Sequence, residues 1–163
     1  MTAVSFAHLH VHTEYSMLDG AARIKDVVAA AAADGQPAIA ITDHGVMYGV
    51  VDFVKEAKAS GVKPIIGMEA YLTEGSRFDR PVGNANRRFH MNLLAENEAG
   101  YRNLLQLSSR AFLEGYYYKP RMDFELLAEH SEGIIATSGC LGGVVAQLLA
   151  PDSMSEEGNK GQV

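Results

Sequence analysis

The chain has 163 residues, of which 47 % are hydrophobic and 21 % are charged, and its formal net charge is −6 at pH 7. This is the length of one ordinary domain and the composition of a soluble globular protein. The negative charge argues against a protein that wraps nucleic acid with a basic surface alone, unless bound divalent cations reverse the local field. The one cysteine, Cys140, excludes an internal disulfide and is typical of the reducing cytosol. The chain opens without an export signal, and its apolar runs are too short to cross a bilayer, so we expect a cytoplasmic protein without membrane contact.

The hydrophobic pattern predicts strands and helices that alternate along the chain. In chain order these are a strand over 4–12, a helix over 23–35, a strand over 37–42, a helix over 50–61 and a strand over 62–72. An exposed loop over 73–88 follows, then a strand over 89–97, helices over 98–113 and 123–131, a strand over 133–139 and a helix over 141–150. The alternation predicts an α/β fold with parallel strands, and a domain over 1–150 precedes an unstructured tail over 151–163. The few strands predict an open sheet or a fragment of a larger fold.

Polar residues recur at the predicted carboxyl ends of successive strands. The segment HLHVHTEYSMLDG places His8, His10 and His12 on alternate positions of a strand, which sends their side chains to one face. The loops and strand ends that follow carry further polar residues, namely Asp19, Asp43, His44, Glu69 and Cys140. Imidazole, carboxylate and thiolate suit zinc, manganese or iron, and clustered divalent ions suit phosphoester hydrolysis. The spacing therefore favours a metal-dependent hydrolase.

Single members of this set have simpler explanations. A lone histidine or cysteine on a buried face is more often packed and hydrogen-bonded than metal-bound, which is the preferred explanation for His8, Cys140 or His130 taken alone. His90 falls at the beginning of its predicted strand, which is the wrong end in a parallel sheet. It reaches the other polar residues only if that strand or the loop before it is placed irregularly.

Longer motifs, taken together, resemble a known family. In chain order they are LHVHTEYSMLDG, AITDHGVMYGVVDF, KPIIGMEAYL, HMNLLAENEAGYRNLLQLSS, YYKPRMD and EGIIATSGCLGG. From about residue 5 to residue 148 they resemble the polymerase and histidinol phosphatase (PHP) domain. The segments EYSMLDG, YYKPR and TSGCLGG resemble the version of that domain that opens bacterial replicative DNA polymerases.

The resemblance implies a distorted (β/α)7 barrel of the TIM-like type with up to three divalent ions at its C-terminal face. The ligands that it implies are His10, His12, Asp19, His44, Glu69, His90 and Cys140. It further implies that His8 and Asp43 orient ligands without binding an ion, and that no catalytic residue is separate from the ligands. Candidates for phosphate contacts are Arg87, Arg88, Lys119 and Arg121, which a solvated basic loop explains equally well.

The resemblance also implies a function. Family members with a full ligand set are associated with 3′–5′ exonuclease proofreading, which implies the 3′ end of a DNA primer as substrate and other replicative polymerase subunits as partners. The family's D-x-H motif does not follow Cys140, so the chain resembles a truncated N-terminal piece with weak or no activity, and nucleotidyl transfer would belong to the parent polymerase. Two alternatives stay open: a non-catalytic scaffold of the polymerase, and a small-molecule phosphatase or amidohydrolase.

Overall fold

The computed structural model describes residues 6–82 and 87–149, which form a mixed α/β fold. The strands are β1 (Ala38–Ile41), β2 (Lys63–Thr73), β3 (Arg88–Ala95), β4 (Arg121–Met122) and β5 (Ile134–Thr137). The α-helices are α1 (Ile24–Ala33), α2 (Val50–Ala59), α3 (Glu98–Leu113), α4 (Phe124–Glu129) and α5 (Val144–Leu149), and a 3-10 helix spans Glu14–Asp19. The predicted tail over 151–163, the end of the last predicted helix and the start of the first predicted strand lie outside the described residues. Within these ranges, the helices are too short or too polar to cross a bilayer.

Within the described ranges, five strands form one open sheet in the order β1-β2-β3-β5, with β4 beside β2. β1 and β4 run parallel to β2, β3 runs antiparallel to β2, and β5 runs antiparallel to β3. The predicted α/β class is confirmed, but the prediction that all strands are parallel is wrong for β3. After β2 the chain turns back and forms β3 directly beside it, as in a hairpin, instead of crossing over the sheet. A closed barrel is not present in these residues.

The first predicted strand is not a regular strand. His8 makes an isolated parallel bridge with Ile39 of β1, and the carbonyls of His8 and Val11 accept hydrogen bonds from the amides of Ala40 and Thr42. The amide of Val11, however, donates to the side-chain hydroxyl of Thr42 at 2.8 Å rather than to a backbone carbonyl. This exchange interrupts the ladder, and the chain then turns into the 3-10 helix. The segment is therefore extended, but it pairs with β1 only in part.

The helices cover the sheet through two hydrophobic clusters. Helices α1 and α2 pack on β1, with Ile24, Val28, Ala31, Ile39, Ile41, Val50, Phe53, Ala57 and Val62 buried among them. Helices α3 and α4 pack on β2, β3 and β4, with Met68, Ala70, Leu72, Phe89, Leu93, Leu104, Leu107, Ala111, Met122 and Leu126 buried there. Alternate residues of β2 face this second cluster, so the residues between them face the opposite side of the sheet. That opposite side carries the candidate site.

Local signals set the helix ends. Helix α3 has the predicted bounds, and the Asn97 side chain caps it by accepting a hydrogen bond from the Gly100 amide. Gly35 and Gly61 each follow a helix with φ near +72°, where neighbouring atoms leave room for a side chain but the left-handed backbone favours glycine. Helix α5 begins later than predicted, because Gly143 instead bridges to His90. That bridge brings the loop before α5 to the candidate site.

The segment between β2 and β3 is anchored at Arg77, so the prediction of an exposed loop over 73–88 is wrong for this residue. The Arg77 side chain is only 6 % exposed and lies 2.9 Å from the Asp123 carboxylate and 2.6 Å from the Glu114 carboxylate. Asp123 also caps α4 by accepting a hydrogen bond from the Leu126 amide. The pair therefore fixes this segment against α3 and α4.

Candidate metal centre

The candidate site is built around one buried carboxylate, that of Glu69. Met68 and Ala70 point into the core from β2, so the side chain of Glu69 points to the opposite face. Glu69 is only 1 % exposed. A buried carboxylate is costly unless cations or hydrogen-bond donors surround it, and here the surroundings are imidazoles.

The histidine pair of the HxH motif reaches this carboxylate. His10 Nε2 lies 3.4 Å from Glu69 Oε1, and His12 Nε2 lies 3.1 Å from Glu69 Oε2. The two Nε2 atoms are themselves 2.9 Å apart. Two ring nitrogens at this distance either share a proton or turn their lone pairs toward a common cation, so the pair suits one ion. These two histidines and Glu69 form one group of possible metal ligands, with ligand atoms within 4.8 Å of one another.

His44 lies between two carboxylates. It follows β1, and its Nδ1 atom lies 2.9 Å from Glu69 Oε2 while its Nε2 atom lies 3.7 Å from Asp19 Oδ2. Asp19 ends the 3-10 helix, and its side chain is 63 % exposed. The sequence places these residues in separate loops, and the fold brings both beside the HxH pair. Asp19 approaches the cluster from its solvent side.

His90 and Cys140 complete the cluster from the far side of Glu69. His90 Nδ1 lies 3.4 Å from Glu69 Oε1 and 3.6 Å from Cys140 Sγ, and the sulfur is 3.8 Å from the same carboxylate oxygen. His90 pairs with Tyr71 in the antiparallel register of β2 and β3. Because β3 is antiparallel, its beginning lies at the same edge of the sheet as the end of β2. His90 therefore reaches the site because β3 runs in the reverse direction. This is the irregular placement of the strand that the sequence analysis called for.

A hydrogen-bonded chain behind the cluster orients His12, and it runs through a residue that the sequence did not single out. Asp43 is buried and accepts hydrogen bonds from the Thr13 amide, the Thr13 hydroxyl and the Ser16 hydroxyl, at 2.6 to 2.7 Å. Since the Ser16 proton is donated to Asp43, its oxygen accepts from His12 Nδ1 at 2.9 Å and from the His44 amide at 3.2 Å. This assigns a proton to His12 Nδ1 and turns Nε2 toward the Glu69 carboxylate, 3.1 Å away. The sequence signal for this role was the serine inside the EYSMLDG motif.

Electrostatics follow from this packing. Burial alone would raise the pKa of Glu69, but the imidazoles that face its carboxylate, His12 foremost, outweigh burial and hold that pKa far below its usual range. Burial lowers the pKa of His10, and the neighbouring Glu69 carboxylate opposes that shift only in part. Burial, with the carboxylates of Asp19 and Glu69 nearby, raises the pKa of Tyr71 to about 12. The site thus holds an ionised carboxylate beside a phenol that stays protonated.

Tyr71 supports the imidazoles, and the sequence analysis missed it. Its ring stacks on His44 with centroids 5.7 Å apart and meets the edge of His90 at 5.2 Å. His12 stacks on His44 at 4.2 Å on the other side. The signal was available in GMEAY, because Tyr71 lies two residues after Glu69 on the same face of β2. The ring of Tyr71 limits the orientations that His44 and His90 can take.

His8 stands apart from the cluster. Its side chain is exposed and its ring contacts Phe6 at 4.8 Å, while its amide donates to Gln36. Among the hydrogen bonds of the described residues, none joins the His8 ring to a histidine of the site. The expectation that His8 orients a ligand comes from the family resemblance and stays a prediction. Asp43 makes the contacts expected of an orienting residue.

Three of the four residues predicted to contact phosphate lie at the surface or near the cluster. Lys119 is half-buried, and its Nζ lies 5.6 Å from the Tyr71 ring centroid, beside the imidazoles. Arg88 alternates with His90 on β3, so both side chains lie on the same face of that strand. Arg87 is half-exposed, 3.7 Å from Glu74, with its guanidinium over the Phe89 ring.

Arg121 does not face solvent, which contradicts its predicted contact with phosphate. It is fully buried, and its guanidinium donates to the carbonyls of Gly115, Arg77 and Asp79. Burial, with Arg80 nearby, lowers the pKa of Arg121. Arg121 therefore ties the chain around β4 to the segment after β2 and has a structural role.

The residues present fit divalent ions. A second group of possible ligands, His44, Glu69 and His90, has ligand atoms within 4.8 Å of one another and shares Glu69 with the first group. In the described part of the chain, His44 Nδ1 is buried and makes no hydrogen bond, although it lies 2.9 Å from Glu69 Oε2. A buried nitrogen without a donor or acceptor partner, aimed at a carboxylate, is what a bound cation would satisfy. Glu69 has two oxygens and could bridge two ions.

The chain is similar to subunit alpha of DNA polymerase III from several bacteria. It is 53 % identical over 150 residues to the DNA polymerase III subunit alpha of Treponema pallidum, an alignment that covers 91 % of this chain and 13 % of that protein. The subunit of Thermus aquaticus is 50 % identical over 155 residues, covering 93 % and 13 %, and that of Deinococcus radiodurans is 55 % identical over 152 residues, covering 88 % and 11 %. The chain thus spans a small part of the length of the curated relatives it matches.

Among solved structures, an amidohydrolase from Chromobacterium violaceum with bound sulfate and no metal has a TM-score of 0.46 and 23 % identity, covering 64 % of this chain and 34 % of that one. A protein described as a metal-dependent phosphoesterase, from Bifidobacterium adolescentis, has a TM-score of 0.45 and 18 % identity, covering 68 % and 35 %. The family model of the PHP domain matches residues 8–161, which is nearly the whole chain. The chain therefore belongs to the PHP domain family.

Proposed function

We propose that the chain is the PHP domain of a replicative DNA polymerase alpha subunit and hydrolyses phosphodiesters at the 3′ end of DNA with the help of divalent ions. The observation that carries this proposal is the convergence of ligand-type side chains from separate segments on the buried carboxylate of Glu69. The similarity to DNA polymerase III subunit alpha supports the assignment to replication. The polymerase activity itself would reside elsewhere in the parent protein.

The ions would be held by the cluster around Glu69. The proposed ligands are His10, His12, Asp19, His44, Glu69, His90 and Cys140, for up to three ions of zinc, manganese or iron. When bound, divalent ions supply activation of water and neutralisation of phosphate charge. The chain's own contribution is to hold the ligands: Ser16 and Asp43 fix the His12 ring, and Tyr71 packs against His44. Lys119, whose Nζ lies 5.6 Å from the Tyr71 ring centroid, is our candidate for contact with a phosphate oxygen.

The larger context of the domain is part of the same proposal. We infer that the described sheet is one part of a distorted (β/α)7 barrel, with the ligands at its C-terminal face. A domain over residues 1–150 would then act in the cytoplasm on primer 3′ ends, beside other subunits of the replicative polymerase. The names of the relatives support DNA as the substrate and replication as the setting.

Replacing Glu69 with glutamine tests the proposal, because the amide keeps the shape of the side chain but removes its charge. We expect Glu69→Gln to lower the metal content, measured by inductively coupled plasma mass spectrometry, and to abolish hydrolysis of a 3′-mismatched primer. The exposed Glu129, which pairs with Arg110 at the surface, gives the matched control Glu129→Gln. Both variants are made in this chain and in a version extended through the family's D-x-H motif.

Four outcomes would count against parts of the proposal. Unchanged hydrolysis in Glu69→Gln would show that the nuclease activity arises elsewhere. Bound metal without hydrolysis in the extended version would favour a scaffold. Faster hydrolysis of a free phosphomonoester than of the primer would favour a small-molecule phosphatase. Equal activity in the short and extended versions would refute the expectation that the D-x-H motif is needed.

A further inference from the structure

Three aromatic rings form a row on the surface near the candidate metal centre. The ring centroids of Tyr48 and Phe112 are 6.3 Å apart, and those of Phe112 and Tyr116 are 6.0 Å apart with an angle of 17° between the planes. Tyr48 is 64 % exposed and Tyr116 is 54 % exposed. We call these three residues the aromatic row. The two tyrosines of the row are exposed, and Phe112 between them is half-buried.

The aromatic row is fixed to the candidate metal centre by the loop that carries His44. Tyr48 lies four residues after His44, and the Ser108 hydroxyl donates to the Gly45 carbonyl at 3.3 Å, which ties this loop to α3. Phe112 lies one helical turn after Ser108 on α3. The loop and α3 therefore hold the row at a set position relative to the imidazoles.

The YYYKP segment joins the aromatic row to the same place. A Cβ atom on Gly45, whose φ is +63°, would lie 2.7 Å from the Pro120 ring and 3.2 Å from the Tyr71 ring, so the backbone passes tightly between them. Tyr116 begins this segment, and Lys119 lies three residues further, with its Nζ over the ring of Tyr71. A cation thus lies over the Tyr71 ring, which itself stacks on His44 of the candidate metal centre.

We propose that the aromatic row and Lys119 bind a single-stranded nucleic acid, whose bases stack on the row while Lys119 contacts a backbone phosphate. The proposal rests on the function proposed above, because it delivers the strand end to the ligands around Glu69. Every base has a π-face, so exposed rings bind single strands with little sequence preference. In a duplex the bases are already stacked and paired, so the row would select frayed or unpaired ends. A partner protein with an apolar surface could pack against the rings, but such a partner would leave Lys119 without a role.

Binding of a fluorescein-labelled oligothymidine to this chain, followed by fluorescence anisotropy in EDTA, tests the inference without hydrolysis. We expect Tyr48→Ala and Tyr116→Ala each to weaken binding roughly 5- to 150-fold, the range for loss of one stacked base. Lys119→Ala should weaken binding and reduce the salt dependence by about one phosphate contact. Phe124, an aromatic residue of similar exposure at the start of α4, gives the control Phe124→Ala, which should leave binding unchanged. Far-UV circular dichroism confirms that each variant is folded.

The outcomes separate this inference from the function on which it rests. Hydrolysis of bis(4-nitrophenyl) phosphate, which has no nucleic acid strand to bind along the aromatic row, should be unchanged in the tyrosine variants while hydrolysis of the oligonucleotide falls. If the chain binds the oligonucleotide through the row but the version extended through the D-x-H motif hydrolyses neither substrate, the proposed function fails and the inference stands. If binding is absent, unaffected by both tyrosine variants, or as tight for a blunt duplex, the inference is overturned and the row covers a protein surface instead.

Discussion

Replacing Ser16 with alanine tests the assignment of the His12 ring. Ser16 is buried, and its hydroxyl donates to Asp43 at 2.6 Å while accepting from His12 Nδ1 at 2.9 Å and from the His44 amide at 3.2 Å. Alanine removes all three contacts but leaves Asp43 with both donors of Thr13, so the fold should survive. Without its acceptor, the His12 ring loses both its fixed orientation and its preferred tautomer.

The expected loss follows from that geometry. Removal of a hydrogen bond that orients a ligating histidine lowers metal affinity about 10- to 100-fold, which corresponds to about 1.4 to 2.7 kcal/mol. Titration of the chain with Mn²⁺ in an isothermal calorimeter measures this change. Ser131→Ala is the matched control, because the Ser131 hydroxyl donates only to the exposed end of α4, at the Ala128 carbonyl. Equal Mn²⁺ affinity in the two variants would refute the role of Ser16.

Three further predictions concern stability, and urea denaturation measures each. Asp123→Ala should lower the free energy of unfolding by about 2 to 5 kcal/mol, because it removes one of the two carboxylates paired with the buried Arg77 guanidinium and also the cap of α4. Glu125→Ala at an exposed position should change it little. Burial alone would raise the pKa of Asp123, but hydrogen bonds from Arg77 and from α4 hold that pKa below its ordinary value. Asp123 therefore stabilises the fold fully above its unfolded pKa of about 4, and this stability should decline as the pH falls toward the folded pKa; an unchanged stability at pH 3 would contradict the assignment. Gly100→Ala should prevent folding or cost several kcal/mol, since a Cβ atom there would overlap the Gly133 carbonyl; a native-like urea midpoint would contradict that contact.

The helices were predictable because their signals are local. Helix α3 carries an apolar stripe and an asparagine cap, and α1 and α2 each end at a glycine in the left-handed region, so their bounds could be derived from neighbouring residues. The direction of β3 is not a local property. The segment between β2 and β3 is long enough to return or to cross over, and nothing in its composition chooses between these paths. Hydrogen-bonding across the sheet decides the direction, and with it the place of His90.

The candidate site was predictable in its residue types but not in its supporting contacts. The sequence indicated His10 and His12 by their spacing and Glu69 by its position on a predicted strand. Arg121 was misplaced, because a guanidinium in a tyrosine-rich segment suggests solvent, whereas backbone carbonyls satisfy it in the interior. The role of Ser16 depends on a contact with Asp43, 27 positions away in sequence. Contacts of that kind exist only once the chain has folded.

The spread of the proposed ligands along the chain makes any bound ion a cross-link. His10 and Cys140 lie near opposite ends of the described residues, yet both are within 4 Å of the Glu69 carboxylate. An ion that binds this arrangement binds only the folded chain, and at a hundred times its dissociation constant it adds about 2.7 kcal/mol to stability. The unfolding midpoint should then rise with the concentration of free ion and fall with chelation. The thermal resistance of the domain would be set by the metal supply of the cell as well as by its hydrophobic core.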